Sequence, residues 1–207
     1  MAQFFSIHPD TPQPRLIKQA AELIRRGGVL AVPTDSHYAL VAAIDDKKAV
    51  DTIRQIRGID ERQLLALLVP DLSELGKLAR VDNQQYRLLK LATPGPYTFI
   101  MEATREVPRR LAHPSRKTIG LRVPEHPVVH ALLAETGPLL SSTLIPAGET
   151  AALTDPWEIR DRLEHVLAGV IEGSCPGQST TMIDLTGSAP EVVRHGRGDA
   201  RQLGIVS

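Results

Sequence analysis

Apolar runs of four to seven residues, each closed by proline, glycine or a polar turn, recur along this chain and alternate with segments of helical period. Runs this short read as buried strands, and interleaving them with helices restricts the chain to a layered α/β or α+β fold. The runs are VLAV at 29–32, YALVAAI at 38–44, LLALLV at 64–69, YTFIMEA at 97–103, TIGLRV at 118–123 and LLSSTLI at 139–145. Shorter strands are expected at 170–172, 180–186 and 191–194. Between them, Thr11 caps a helix whose first turn tolerates Pro12 and Pro14 and which Gly27 and Gly28 stop. Asp46 starts a second helix that Gly58 ends, and helical stretches follow at 72–79, 83–92 and 127–135. In DPWEIRDRLEHVLAG, Asp155 is the cap, Pro156 the first helical residue, Glu158 the third, and Gly169 lies past the end. The spacing is too irregular for a doubly wound fold, so we expect one layered core with a mixed sheet. At 207 residues, 42% hydrophobic and 23% charged, a single domain over 1–207 with its core in about 13–200 fits.

No stretch is apolar enough to cross a membrane, no secretory signal is visible in MAQFFSIHPDTP, and the single Cys175 excludes an internal disulfide framework. A cytoplasmic protein without membrane contact, monomeric or a weak homodimer, is expected. Zero net charge argues at first against a polyanionic partner, but the average hides a pattern. Residues 80–122 carry nine Lys/Arg against three Asp/Glu, and residues 123–193 two against ten. Arg outnumbers Lys eighteen to six, and Arg is the better bidentate phosphate ligand. Linear clustering still need not become a spatial patch.

Phosphate loops (GxxxxGK[ST], GxGxxG) are absent, as are HExxH, CxxC and GxSxG. His126 and His130 stand four apart on a helix, a spacing that can ligate metal, but Pro127 between them and the lack of a third ligand favour packing roles. No metal site is expected in the chain itself. PTDS at 33–36 empties a buried strand into two hydroxyls and a carboxylate, which reads as a strand-end ligand site or as an Asx/ST turn. TPGPYT at 93–98 and SSTLIP at 141–146 carry the same ambiguity.

In order, GGVLAVPTDSHYAL, IRQIRG, LLALLV, LATPGPYTFIMEA, TIGLRVPEHP, GPLLSSTLIPAG, STTMIDLT and VVRHGRGD resemble the YrdC-like family, whose best-known members are L-threonylcarbamoyladenylate synthases of tRNA modification. FFSIHPDTPQPRLIKQA and the form of IRQIRG resemble its YciO branch. The resemblance implies a twisted sheet with a concave basic face that holds ATP and engages double-stranded RNA or tRNA. In the synthases, threonine, bicarbonate and ATP give threonylcarbamoyl-AMP and pyrophosphate, usually with magnesium. On that pattern Thr34, Asp35 and Tyr38 line the amino-acid side, Thr98 and Arg122 the floor, and Arg57, Ser141, Thr143, Thr181 and Arg194 the nucleotide side. Arg57 and Thr143 are the candidates for a catalytic role. The basic stretch with Arg109, Arg110, Arg116 and Lys117 is the expected RNA contact, and the scarcity of aromatics favours a duplex over stacked single strands.

The synthases' Lys-x-Arg reads Arg57-Gly58-Ile59 here, their Ser-x-Asn reads Thr143-Leu144-Ile145, and the glycine after the tyrosine is Ala39. Losing a cation and an amide from a dry site costs on the order of 2–4 kcal/mol each in the transition state. Three readings follow: a nucleotide- and RNA-binding protein with weak or altered synthase chemistry, an active synthase with rearranged side chains, and a binding module for RNA or protein that lacks catalysis.

Overall fold

The computed structural model describes residues 1–206. Ten strands form one twisted mixed sheet: β1 (Gln3–Phe5), β2 (Leu30–Val32), β3 (Ala39–Ala43), β4 (Ala66–Leu68), β5 (Tyr97–Glu102), β6 (Thr118–Arg122), β7 (Leu139–Thr143), β8 (Gly169–Ile171), β9 (Thr181–Asp184) and β10 (Glu191–Arg194). Their order across the sheet is β1-β8-β2-β3-β7-β4-β6-β5-β9-β10. Parallel pairs (β1/β8, β2/β8, β4/β6, β5/β9) mix with antiparallel ones such as β3/β7 and β5/β6. Six helices connect them: α1 (Pro14–Arg25), α2 (Lys47–Arg57), α3 (Leu72–Leu78), α4 (Asn83–Ala92), α5 (Pro127–Thr136) and α6 (Pro156–Leu163). None is long and apolar enough to cross a membrane.

Period-2 alternation divides the core between the two faces. Leu40, Leu67, Phe99, Met101, Ile119, Leu121, Leu140 and Ile183 pack under α2, α3, α4 and α6 through Ile53, Leu75, Leu89 and Ile159. On the opposite face, Leu30, Val32, Ala39, Val41, Leu68, Leu139 and Ile171 pack under α1 and α5 through Ile17, Ile24, Val129 and Leu132. No side chain of β5, β6 or β9 joins this second core. Across β4, β5, β6, β7 and β9 the same face carries Ala66, Thr98, Gly120, Arg122, Ser141, Thr143 and Met182, of which Met182 alone is a large apolar side chain. This uncovered face is the candidate site, and the sequence marks it with polar and small residues where the alternation calls for core.

Element ends depart from the sequence reading where local chemistry competes. Gln13, not Thr11, takes the N-cap position of α1, without a side-chain capping bond, and Thr11 gives its N–H and hydroxyl to His8 Nδ1. Helix α6 stops at Leu163, and Gly169 opens β8 because Phe5 and Gln3 O crowd the space a Cβ would need. Strand β1 and a short 3-10 turn at Ala200–Leu203 had no periodic signal to announce them.

Candidate functional site

The uncovered face holds a small polar cavity of about 130 Å³ at the meeting of β4, β5, β6, β7, β9 and β10. Arg57, at the end of α2, Arg122, at the end of β6, and Arg194, at the end of β10, converge on it. Hydroxyls surround them: Ser36, Thr98, Ser141, Ser142, Thr143, Ser179 and Thr180. The small neighbours Ala66 and Gly120 keep the floor low; a Cβ on Gly120 would stand 3.2 Å from Leu65 O and 3.3 Å from Ala66 Cβ.

Each guanidinium is held by other groups before any ligand arrives. Arg122 is buried and donates through Nη2 to Asp35 Oδ1 at 2.6 Å, while Asp35 Oδ2 accepts Glu125 N–H at 2.9 Å. Burial lowers the proton affinity of Arg122 and the Asp35 charge works against that loss. Arg194 donates to Thr180 O at 3.0 and 3.2 Å and to Thr180 Oγ1 at 3.1 Å, and Thr180 Oγ1 lies 2.7 Å from Thr98 Oγ1. Arg57 Nη1 donates to Ile145 O at 3.2 Å. Among the described residues, neither Arg57 nor Arg194 has a carboxylate within ion-pair distance. Asp35 compensates one of three cations, so the cavity is net positive and lined with donors, a setting for an anionic oxygen group.

Arg57, Thr98, Arg122, Ser141, Thr143 and Arg194 are thus brought together, and Asp35 joins them through Arg122. Three other expected residues stand behind the cavity wall. Thr34 is buried and donates to His37 O at 2.6 Å, which shapes the PTDS turn. Tyr38 is fully buried; its hydroxyl donates to Ile171 O and Gly173 O, and burial raises its pKa. Thr181 donates to Gly198 O and accepts Gly196 N–H, so its side chain leaves by the opposite face of β9 while Thr180 and Met182 face the cavity. One residue of strand register decides between Thr180 and Thr181.

Three further contributors lie inside the segments that carry the resemblance, though none was among the expected site residues. His37 and Ser179 stand together in the wall, Nε2 to Oγ 3.5 Å. Arg197, in a stretch that reads as a loose turn, donates Nη1 to Asp35 O at 2.7 Å and so ties the β10 side to the PTDS turn. The departures at Ile59 and Ile145 fall at one corner. Arg57 bonds the Ile145 carbonyl, Ala147 N–H donates to Ile56 O at 2.8 Å, and Gly58, at φ +63°, lies so close to Ala147 that a Cβ would stand 2.8 Å from its Cβ.

Arg109, Arg110, Arg116 and Lys117 lie exposed on the loop between β5 and β6. Arg110 donates to Ile44 O, and Arg54 on α2 donates to Arg110 O. Arg54 stands one turn before Arg57 on α2, which links this loop to the cavity rim. His113 Nδ1 accepts the Ser115 and Arg116 N–H groups, and Lys117 closes the turn at φ 54°. His126 caps α5 by accepting Val129 N–H, a packing role. Among the described residues no three His, Cys, Asp or Glu side chains cluster to hold a metal.

The family model Sua5_yciO_yrdC, described as "Telomere recombination", matches residues 22–196. YciO of Escherichia coli K12 is 51% identical over 203 residues, covering 97% of this chain and 98% of that one. Its crystal structure superposes with a TM-score of 0.93 over 98% of this chain and 100% of that chain. A threonylcarbamoyl-AMP synthase of Pseudomonas savastanoi pv. phaseolicola is 32% identical over 163 residues, 78% of this chain and 84% of that protein. The crystal structure of P. abyssi Sua5 complexed with L-threonine superposes with a TM-score of 0.85 at 25% identity, over 93% of this chain and 57% of that one.

Proposed function

This chain belongs to the Sua5/YciO/YrdC family, and from that membership and the cavity we propose that it binds ATP in the arginine-lined cavity and carries weakened or altered threonylcarbamoyl-AMP synthase chemistry. The observation that carries the reading is the convergence of Arg57, Arg122 and Arg194 on one hydroxyl-lined cavity with a single compensating carboxylate. A cavity of about 130 Å³ suits an amino acid or a phosphoryl group, so the rest of a nucleotide would lie outside it. Thr98 and Thr180, already coupled, would orient phosphoryl oxygens, and Arg194 would neutralise them.

Weakened chemistry follows from the corner of Ile59 and Ile145. An isoleucine replaces a cation at one position and an amide at the other, and Arg57 is turned onto the Ile145 carbonyl. A guanidinium with one hydrogen already committed has fewer to offer a developing charge. Magnesium, where required, would enter with the nucleotide phosphates, since Asp35 uses both oxygens on Arg122 and Glu125 N. The exposed cations Arg109, Arg116 and Lys117, on a turn braced by His113 and linked through Arg110 and Arg54 to the rim, support contact with duplex RNA phosphates.

The test is incubation with threonine, bicarbonate, ATP and magnesium, with pyrophosphate release followed beside an active synthase. The expected result is ATP-dependent thermal stabilisation with threonine-dependent pyrophosphate release roughly 30- to 1000-fold slower. Release at the synthase's own rate would make the chain an active synthase, and no stabilisation at millimolar ATP would remove the nucleotide.

A further inference from the structure

His37 is the one cavity side chain able to change charge near neutral pH. It follows Thr34, Asp35 and Ser36 in the turn after β2, and its ring stands beside Ser179, Nε2 to Oγ 3.5 Å. Nδ1 is buried without a hydrogen-bond partner. Arg122 from β6 and Arg194 from β10 face it, and Arg57 from α2 lines the same cavity. Asp35 is the carboxylate on its own turn and is paired with Arg122, while Arg197 holds Asp35 O. Cys175, half-buried beside this cluster, has its thiol pKa raised by burial and so stays protonated. The surroundings of the imidazole are therefore positive and short of acceptors.

We infer that His37 is a proton-coupled anion-binding residue, which takes up a proton from solvent as an oxyanion settles between Arg122 and Arg194. In the free protein, burial and those two guanidiniums hold the imidazole below its ordinary pKa and keep it neutral. A bound anion cancels their field, so the charged form of His37 becomes favourable and adds a fourth cation to the site. Linkage makes the effect reciprocal: protonation must raise anion affinity by the factor by which the anion raises proton affinity. The residue thereby favours a doubly charged phosphoryl or sulfonyl group over a neutral ligand. The inference rests on the anion-binding reading above and adds the group that reads the ligand's charge.

Sulfate is the probe, because its charge is constant across the range. Titration calorimetry in two buffers of different ionisation enthalpy should give net proton uptake on binding. Affinity should rise about fivefold or more from about pH 8 to about pH 6. Both effects should vanish in His37→Gln, whose proton uptake and pH dependence are read independently of its absolute affinity. His126, the other imidazole near Asp35, is present in both proteins, so their difference isolates His37. In the wild-type protein, the His37 ring proton resonance should titrate at higher pH with sulfate than without. Sulfate binding without proton uptake, or uptake that persists in His37→Gln, would overturn the inference while leaving the anion site intact. Absence of sulfate binding at every pH would remove the anion site and the inference with it.

Discussion

Replacing Asp35 by alanine tests whether the site is organised around its buried ion pair. Arg122 and Asp35 side chains are 7% and 3% exposed, and their contact of 2.6 Å is the one carboxylate partner Arg122 has among the described residues. Its Nε is buried without a partner, so no second acceptor stands ready to take the charge. Removing one member of such a pair costs about 3–5 kcal/mol, because the other charge stays buried and uncompensated. The second lost bond, to Glu125 N–H, adds little, since Glu125 is exposed and water replaces the acceptor. For a chain of this length the expected fall in Tm is about 6–20 °C. Urea unfolding should show a lower midpoint at unchanged slope. Combining Asp35→Ala with Arg122→Met removes both charges and should recover most of the loss, a coupling of about 2 kcal/mol or more. A loss of less than about 1 kcal/mol in Asp35→Ala, or a double variant as unstable as the two single losses added together, would show that the site is not organised around this pair.

Tyr38→Phe should lower stability by about 1–2 kcal/mol, because the buried Ile171 carbonyl and the half-buried Gly173 carbonyl lose the one hydroxyl hydrogen they share, and leave sulfate affinity unchanged in calorimetry. Gly58→Ala, at φ +63° against Ala147, should cost about 1–2 kcal/mol in urea unfolding and weaken ATP binding by displacing Arg57. His37 and His126 both have pKa values lowered by burial, so stability should be level above the unfolded imidazole value of about 6.5 and decline as pH falls below it. His126→Asn, which keeps a capping acceptor, should shrink that acid limb in a Tm-against-pH series. Substituting Arg109, Arg110, Arg116 and Lys117 by glutamine should weaken duplex RNA binding and flatten log K against log salt by roughly 0.7–0.9 per lost phosphate contact; an unchanged slope would clear the loop of that role.

Apolar periodicity carried the layered fold. VLAV keeps its strand because its residues alternate between two filled cores, LLALLV and TIGLRV keep theirs because Leu65, Leu67, Ile119 and Leu121 fill one core, and α2 keeps its ends because Asp46 caps it and Gly58 turns left-handed after it. Local signals failed where a distant group decided the outcome. Gly169 looks like a helix end but lies in β8 under the Phe5 ring, and β1 exists because β8 offers it a parallel partner. The site was legible only as ordered motifs, since a Thr beside a strand is as often a turn as a ligand. Those motifs named the three arginines, yet they could not say that Thr180 rather than Thr181 faces the cavity or that Tyr38 anchors the wall behind it. His37 and Arg197 lie inside two of those motifs, yet the motifs do not tell that one reaches the cavity wall and the other Asp35; the fold brings them there.

Calorimetric titration of the full chain with ATP and magnesium, beside Arg194→Gln, decides whether the arginine-lined cavity holds a nucleotide. One saturable site is predicted, weakened about 10- to 150-fold in the variant, the effect of losing a hydrogen bond to a charged partner worth about 1.5–3 kcal/mol. No saturable binding at millimolar ATP, or equal affinity in the variant, would contradict it.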